Sequence, residues 1–151
     1  MTDVSRGVTG RILMVDDNGM GLLARRSVLE ELGHRVYTSS APQEALELFA
    51  KHRFDIVVTD YKMPKMDGIA FIGELRKQNP NVSVILISGF TDTLGLDEKT
   101  TGADIVIQKS NNEVTHLIRA VNRLLRNPPA ARKKPASSLP PKAARKTAGS
   151  Q

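Results

Sequence analysis

Short unbroken apolar runs alternate along this chain with stretches whose apolar residues recur at helical spacing. Ile12-Leu13-Met14-Val15, Ile56-Val57-Val58, Val84-Ile85-Leu86-Ile87 and Ile105-Val106-Ile107 show no polar alternation. Runs of this kind, rich in β-branched residues, read as strands buried on both faces, the mark of a parallel sheet. The pattern predicts strands over 11–16, 35–39, 54–60, 82–88 and 104–108. Helices are predicted over 19–32, 41–52, 68–78 and 111–126. Gly33 stops the first helix, Ser40 is a candidate cap for the second, Asp67 caps the third and Pro80 follows its end. Leu22, Leu23, Val28, Leu29 and Leu32 are the apolar positions of the first helix, Ala45, Leu46, Leu48 and Phe49 are predicted to face inward from the second, and Val114, Leu117, Ile118, Val121, Leu124 and Leu125 recur at helical spacing in the last. Between strands four and five, residues 91–101 hold Gly95 and four threonines, all poor helix formers, so the helix expected there is short or mobile.

Strands alternating with helices imply right-handed βαβ crossovers. The fold class is therefore α/β: a doubly wound (βα)5 sandwich around a five-stranded parallel sheet of flavodoxin-like order 2-1-3-4-5. The 151 residues are enough for one domain with a core, and 40% are hydrophobic. No apolar run approaches the ~20 residues that span a bilayer, and residues 1–10 lack the apolar centre of a signal peptide. The chain has no cysteine, which excludes disulfides, thiolate metal sites and cysteine nucleophiles. These features point to the cytoplasm.

Charge divides the chain. The net charge is +6, but from residue 127 onward there are six basic residues (Arg132, Lys133, Lys134, Lys142, Arg145, Lys146) and no acidic one. Taking those six from the chain's 22 leaves 16 basic residues against 16 acidic, so the tail carries the whole excess. The expected organisation is a flexible N-terminus over 1–10, one domain over 11–126 and a disordered tail over 127–151, with no second folded output domain. Pro, Ala, Lys and Arg dominate the tail, which has no apolar periodicity to offset the entropy of ordering. Pro128-Pro129-Ala130-Ala131-Arg132-Lys133 recurs loosely as Pro140-Pro141-Lys142-Ala143-Ala144-Arg145-Lys146. Such a tail suits phosphates of nucleic acid, an anionic surface or an acidic partner, or simply solubilises the protein. It offers no aromatic residue for base stacking.

The chemistry concentrates where strands end. Asp16 and Asp17 close the first strand, Asp60 the third and Lys109 the fifth. In an open parallel sheet the functional crevice lies at the carboxyl ends of the strands, so three carboxylates and an ammonium converge there. Carboxylates held that close repel one another unless a cation intervenes. An all-oxygen ligand set suits a hard cation such as Mg²⁺.

The order Val15-Asp16-Asp17-Asn18, Thr59-Asp60-Tyr61-Lys62-Met63-Pro64-Lys65-Met66-Asp67-Gly68, Ser88-Gly89 and Lys109 resembles the receiver domain of two-component response regulators, over residues 11–126. The resemblance implies that Asp60 accepts a phosphoryl group from a phosphohistidine on a sensor histidine kinase or phosphotransfer protein. It implies Mg²⁺ held by Asp17, Asp60 and the backbone carbonyl of Lys62, with Asp16 acting through water. It gives Lys109 and Ser88 to the phosphoryl oxygens, and output by protein–protein contact with a partner the sequence does not name.

Three positions depart from that resemblance. The family's switch aromatic, three residues before the lysine, is Val106 here. Ser110 stands where the family usually has a cis-proline; a cis bond before a non-proline residue costs roughly 2.5–4 kcal/mol, which favours trans. The fourth helix is rich in Gly and Thr. Two competing functions follow: a receiver-like scaffold whose output ignores phosphorylation, and a binder of nucleic acid or an acidic partner through the tail. A Mg²⁺-dependent phosphatase of the haloacid-dehalogenase type fits less well, because its two aspartates usually stand two positions apart.

Overall fold

The computed structural model describes residues 8–89 and 96–128. Its elements run β1 (Arg11–Val15), α1 (Gly19–Glu31), β2 (Arg35–Ser39), α2 (Pro42–Lys51), β3 (Ile56–Asp60), α3 (Gly68–Gln78), β4 (Ser83–Ser88), α4 (Glu98–Thr101), β5 (Ile105–Gln108) and α5 (Glu113–Arg126). The five strands form one sheet of order β2-β1-β3-β4-β5, and every pairing is parallel. The sequence-predicted order and class are therefore those of the structure. The part of the expected flexible N-terminus before Val8, the expected disorder of the tail beyond Pro128, and residues 91–95 of the weak segment lie outside the described residues.

Two apolar layers sandwich the sheet. Ile12, Met14, Val58, Ile85 and Ile107 face α1 and α5, meeting Leu22, Leu29, Leu117, Val121 and Leu124. Leu13, Val15, Val57, Val84 and Leu86 face the other way, against Ala45, Phe49, Phe71, Ile72 and Leu75. The alternation along each strand explains the unbroken apolar runs, since both faces are covered.

Several predicted boundaries shift for local reasons. Helix α2 is capped not by Ser40 but at Ala41, which makes no side-chain cap bond. Ser39 does the work instead: its Oγ accepts from Ala41 N at 3.2 Å and lies 2.8 Å from both Ala41 O and Glu44 Oε1, the two acceptors within reach of its one proton. On α2 only Ala45 and Phe49 of the four predicted residues are fully buried; Leu46 and Leu48 are partly buried. β3 begins at Ile56 because Asp55 is spent on a neighbour, its Oδ2 accepting from Arg11 N at 2.9 Å. α5 begins at Glu113 because Ser110 first closes a turn: Glu113 N donates to Ser110 O at 3.2 Å and Asn112 N to Ser110 Oγ at 3.2 Å. The described part of the fourth helix is one turn, capped by Asp97 and Thr100 in reciprocal bonds and ended by Gly102 at φ +82°. Gly33, at φ +99°, ends α1 as its sequence position predicts.

Candidate functional site

The strand ends bring the predicted residues together. Asp16 follows the last residue of β1, and its backbone N donates to Ser39 O at 3.2 Å, so the β1 end is fixed against β2. Asp60 is the last residue of β3 and pairs with Ile87 of β4, which puts Ser88 one step beyond. Lys109 N donates to Ser88 O at 2.8 Å, holding the β5 exit against β4. Gly68 permits the tight return of the β3–α3 loop. A Cβ there would lie 2.7 Å from Asp60 O and 2.7 Å from Leu86 Cδ1. Asp67 is the N-cap of α3, accepting from Ala70 N at 2.9 Å.

One side-chain oxygen from each of Asp16, Asp17 and Asp60 lies within 4.8 Å of the other two. Asp17 is exposed, whereas Asp16 and Asp60 are buried. Lys109 Nζ is 2.8 Å from Asp60 Oδ1, an ion pair between a partly exposed lysine and a buried carboxylate. The Lys109–Ser110 peptide is trans, as is every peptide among the described residues. The lysine therefore reaches its carboxylate without the proline geometry of the family. Burial pushes the Asp60 carboxyl above the usual carboxylate range, and the nearby Asp16 charge pushes the same way against the pull of Lys109. Burial opposes the charge of Lys109, but the Asp60 carboxylate more than offsets it and the net shift is upward.

Buried polar atoms without partners are uncommon and call for an explanation. Ser88 Oγ, at this end of the sheet, and His34 Nε2 are such atoms among the described residues, and Asp60 Oδ1 has the Lys109 ammonium as its close partner. A hydroxyl left open beside an ammonium and three carboxylates fits a cation-plus-oxyanion ligand. Oxygen donors alone, three of them carboxylates, are the donor set of a hard divalent ion. Beside Asp17, a hollow of about 410 Å³ is lined by Tyr61, Lys62, Met63, Pro64 and Asp67, so the cluster opens to solvent on the β3–α3 loop.

One participant is absent from the sequence-based set. Arg25, in mid α1, is buried. Its Nη1 donates to Asp16 Oδ2 at 2.8 Å and its Nε to Glu113 Oε2 at 2.5 Å. The other Asp16 oxygen accepts from Asn18 N at 3.0 Å. Burial alone would lower the guanidinium pKa; Glu113 and Asp16 reverse that and raise it. The signal was available: Arg25 interrupts the buried stripe of α1 between Leu22 and Leu29, where the 3.6-residue period calls for an apolar side chain. Of the histidines, His34 is buried and accepts from Gly10 N at 3.2 Å, while His52 lies 4.9 Å from Tyr37, ring to ring.

Comparison with known proteins agrees with this geometry. The chain is similar to a response regulator receiver domain protein of Clostridium thermocellum, with 30% identity and a TM-score of 0.70 over 82% of this chain and 96% of that one. It is similar to the response regulator TrrA of Thermotoga maritima, solved in complex with Mg(2+)-BeF, with 31% identity and a TM-score of 0.69 over 76% and 98% of the two chains. A 34% identical match covers 60% of this chain and 10% of the sensor kinase CckA of Brucella abortus. The chain spans less than half the length of the curated relatives it matches. The family model for the response regulator receiver domain matches residues 12–122, from the first strand into the last helix, and the chain belongs to that family.

Proposed function

We propose that this receiver takes a phosphoryl group onto Asp60 from a phosphohistidine of a sensor histidine kinase or phosphotransfer protein, and signals by binding an output protein in the cytoplasm. A carboxylate oxygen of Asp60 attacks phosphorus, the P–N bond breaks and the leaving imidazole nitrogen takes a proton. The carrying observation is Asp60 itself: buried, facing the Lys109 ammonium at 2.8 Å and two further carboxylates.

Asp17, Asp60 and the backbone carbonyl of Lys62 would hold Mg²⁺ directly, with Asp16 acting through water. Bound there, the ion supplies the positive charge that lets an anionic phosphoryl group approach an anionic nucleophile. Lys109 contributes a fixed ammonium to the same oxygens, and the unpartnered Ser88 hydroxyl is free to donate to them. The chain's part is to bind, orient and neutralise, and it acts as a phosphoacceptor rather than a turnover enzyme.

The test is incubation of wild type and D60N with acetyl phosphate and Mg²⁺, and separately with a phosphorylated sensor kinase, read by intact mass. One added phosphoryl group in wild type alone supports the reading. Addition to both proteins moves the acceptor elsewhere, and addition to neither, with either donor, ends it.

A second reading is favoured by one position. Val106, half-buried on β5, replaces the aromatic that the family uses to relay the acceptor's state. A scaffold with phosphorylation-independent output requires only that partner binding stay the same when Asp60 is modified. We also assign the receiver body to residues 11–126 and an anion-binding role to the basic residues from 127 onward. Pro128 borders a hollow with Arg53 and Val82 at the strand-entry end of the sheet, opposite the carboxylates. Truncation after Arg126 that leaves affinity for nucleic acid unchanged would defeat the tail assignment.

A further inference from the structure

Arg25 stands between the carboxylate cluster and α5, and no step of phosphoryl acceptance uses it. Its guanidinium spans two elements, with Nη1 on Asp16 at 2.8 Å and Nε on Glu113 at 2.5 Å. All three side chains are largely shielded, at 9%, 2% and 15% exposure. Glu113 is in the first turn of α5, and Ser110 closes the turn just before it. Lys109, the other cation at the cluster, immediately precedes that turn.

An arginine keeps its charge at any accessible pH, so its position here amounts to a permanent cation built beside the metal site. In the metal-free protein it offsets part of the mutual repulsion of Asp16, Asp17 and Asp60. A divalent ion arriving at the cluster faces a like charge already bound to Asp16, and the two compete for that carboxylate. Because the competitor's second hold is Glu113, whatever loosens the Asp16 contact alters the Arg25–Glu113 contact as well. The path runs from β1 through α1 to α5 and does not pass through β5, where Val106 stands in the aromatic's place.

We propose that Arg25 is a positioning residue that stands in for the cation at Asp16 in the metal-free protein and passes metal occupancy to the first turn of α5 through Glu113. This rests on the reading of the carboxylate cluster as a Mg²⁺ site. Reciprocity follows: if the ion loosens Arg25, Arg25 must weaken the ion.

The experiment titrates MgCl₂ into the full chain labelled with ¹⁵N. It follows the Asp17 amide, which reports the site, and the Arg25 Nε–Hε signal, assigned through bonds, which reports the Glu113 contact. Calorimetry compares Mg²⁺ affinity in wild type and R25Q. The Nε–Hε signal is expected to shift with the same Mg²⁺ midpoint as the Asp17 amide, and R25Q to bind Mg²⁺ about threefold or more tighter. An Arg25 signal that stays still while Asp17 responds overturns the proposal, and so does an R25Q affinity equal to or weaker than wild type. If R25Q fails to fold, the wild-type signal decides alone. Asp17 failing to respond to Mg²⁺ at all would overturn the metal reading itself, and this proposal with it.

Discussion

Lys109 Nζ lies 2.8 Å from Asp60 Oδ1 although the peptide that follows the lysine is trans and the next residue is Ser110, not proline. The backbone bond from Lys109 N to Ser88 O at 2.8 Å fixes where the side chain starts, and the long stem covers the rest. The lysine side chain is more than a third exposed, so its contribution to fold stability is small after screening. On the proposed reading its work is at Asp60, where charge develops on phosphoryl oxygens. K109A should therefore slow phosphorylation of Asp60 by at least about tenfold, the equivalent of ~1.4 kcal/mol in the barrier. It should leave the urea midpoint nearly unchanged. Phosphorylation time courses by intact mass, beside an unfolding curve, check both halves.

Gly68 makes a second, sharper test of how the fold serves the site. A methyl group at this position would stand 2.7 Å from Asp60 O and 2.7 Å from Leu86 Cδ1, and Gly68 N donates to Tyr61 O at 2.7 Å. The backbone oxygen cannot swing away as a side chain can. G68A should cost roughly 1–3 kcal/mol through overpacking and should also slow phosphorylation, because the displaced backbone belongs to the acceptor residue. Urea unfolding and the acetyl phosphate reaction would show both losses together; a stable G68A with normal acceptance would contradict the packing argument.

The sheet and the acceptor cluster were legible in the sequence because each depends on local pattern. Strands covered on both faces have no polar positions, so Ile12–Val15 and Val84–Ile87 announce themselves, and residues that end such strands converge by topology alone. What escaped depends on contacts distant in the chain. Arg25 reaches Glu113 across 88 residues, and no spacing rule pairs two residues so far apart. Leu23 and Val114 read as apolar helix positions, yet they are exposed at 65% and 36%; the stripe's width depends on how each helix is rotated against the sheet. Ser40 seemed the natural cap from residue type, but the neighbouring Ser39 hydroxyl was already aimed at Ala41 and Glu44.

His34 should make the fold sensitive to mild acid. It is buried, its Nδ1 accepts from Gly10 N and its Nε2 has no partner. Burial lowers its pKa below the ordinary value of 6.5. The unfolded chain therefore binds a proton in a range where the folded one does not, and stability rises with pH across that range. The contribution is complete above pH 6.5 and declines as pH falls from there toward the folded pKa, by at most about 1.4 kcal/mol per pH unit for one proton. Urea unfolding at pH 7.5 and 5.5 should show wild type losing more stability than H34Q. Equal losses in the two proteins would mean that His34 takes up its proton as readily in the fold as in the unfolded chain.

Arg76 holds together the edge of the sheet that carries Ser88 and Lys109, and its loss should separate stability from chemistry. From the last turn of α3 its guanidinium donates to Pro80 O at 3.2 Å, to Val82 O, to Gly102 O at 2.9 Å and to Asp104 Oδ2 at 3.3 Å. Asp104 in turn accepts from Val84 N at 2.7 Å. One side chain thus bonds the entry to β4 and the entry to β5, at the end of the sheet away from the carboxylates. R76L keeps much of the apolar stem but removes every one of these donors, leaving Asp104 to carry its buried charge with less compensation. The expected cost is roughly 2–4 kcal/mol, from lost bonds to a charged group and a weakened ion pair. The folded fraction should still bind Mg²⁺ and accept a phosphoryl group at Asp60 with wild-type rates, since no group within the cluster has changed. A denaturation curve gives the first result, and phosphorylation at a temperature where R76L remains folded gives the second. A fold that tolerates R76L without loss would mean that β4–β5 pairing alone carries this edge.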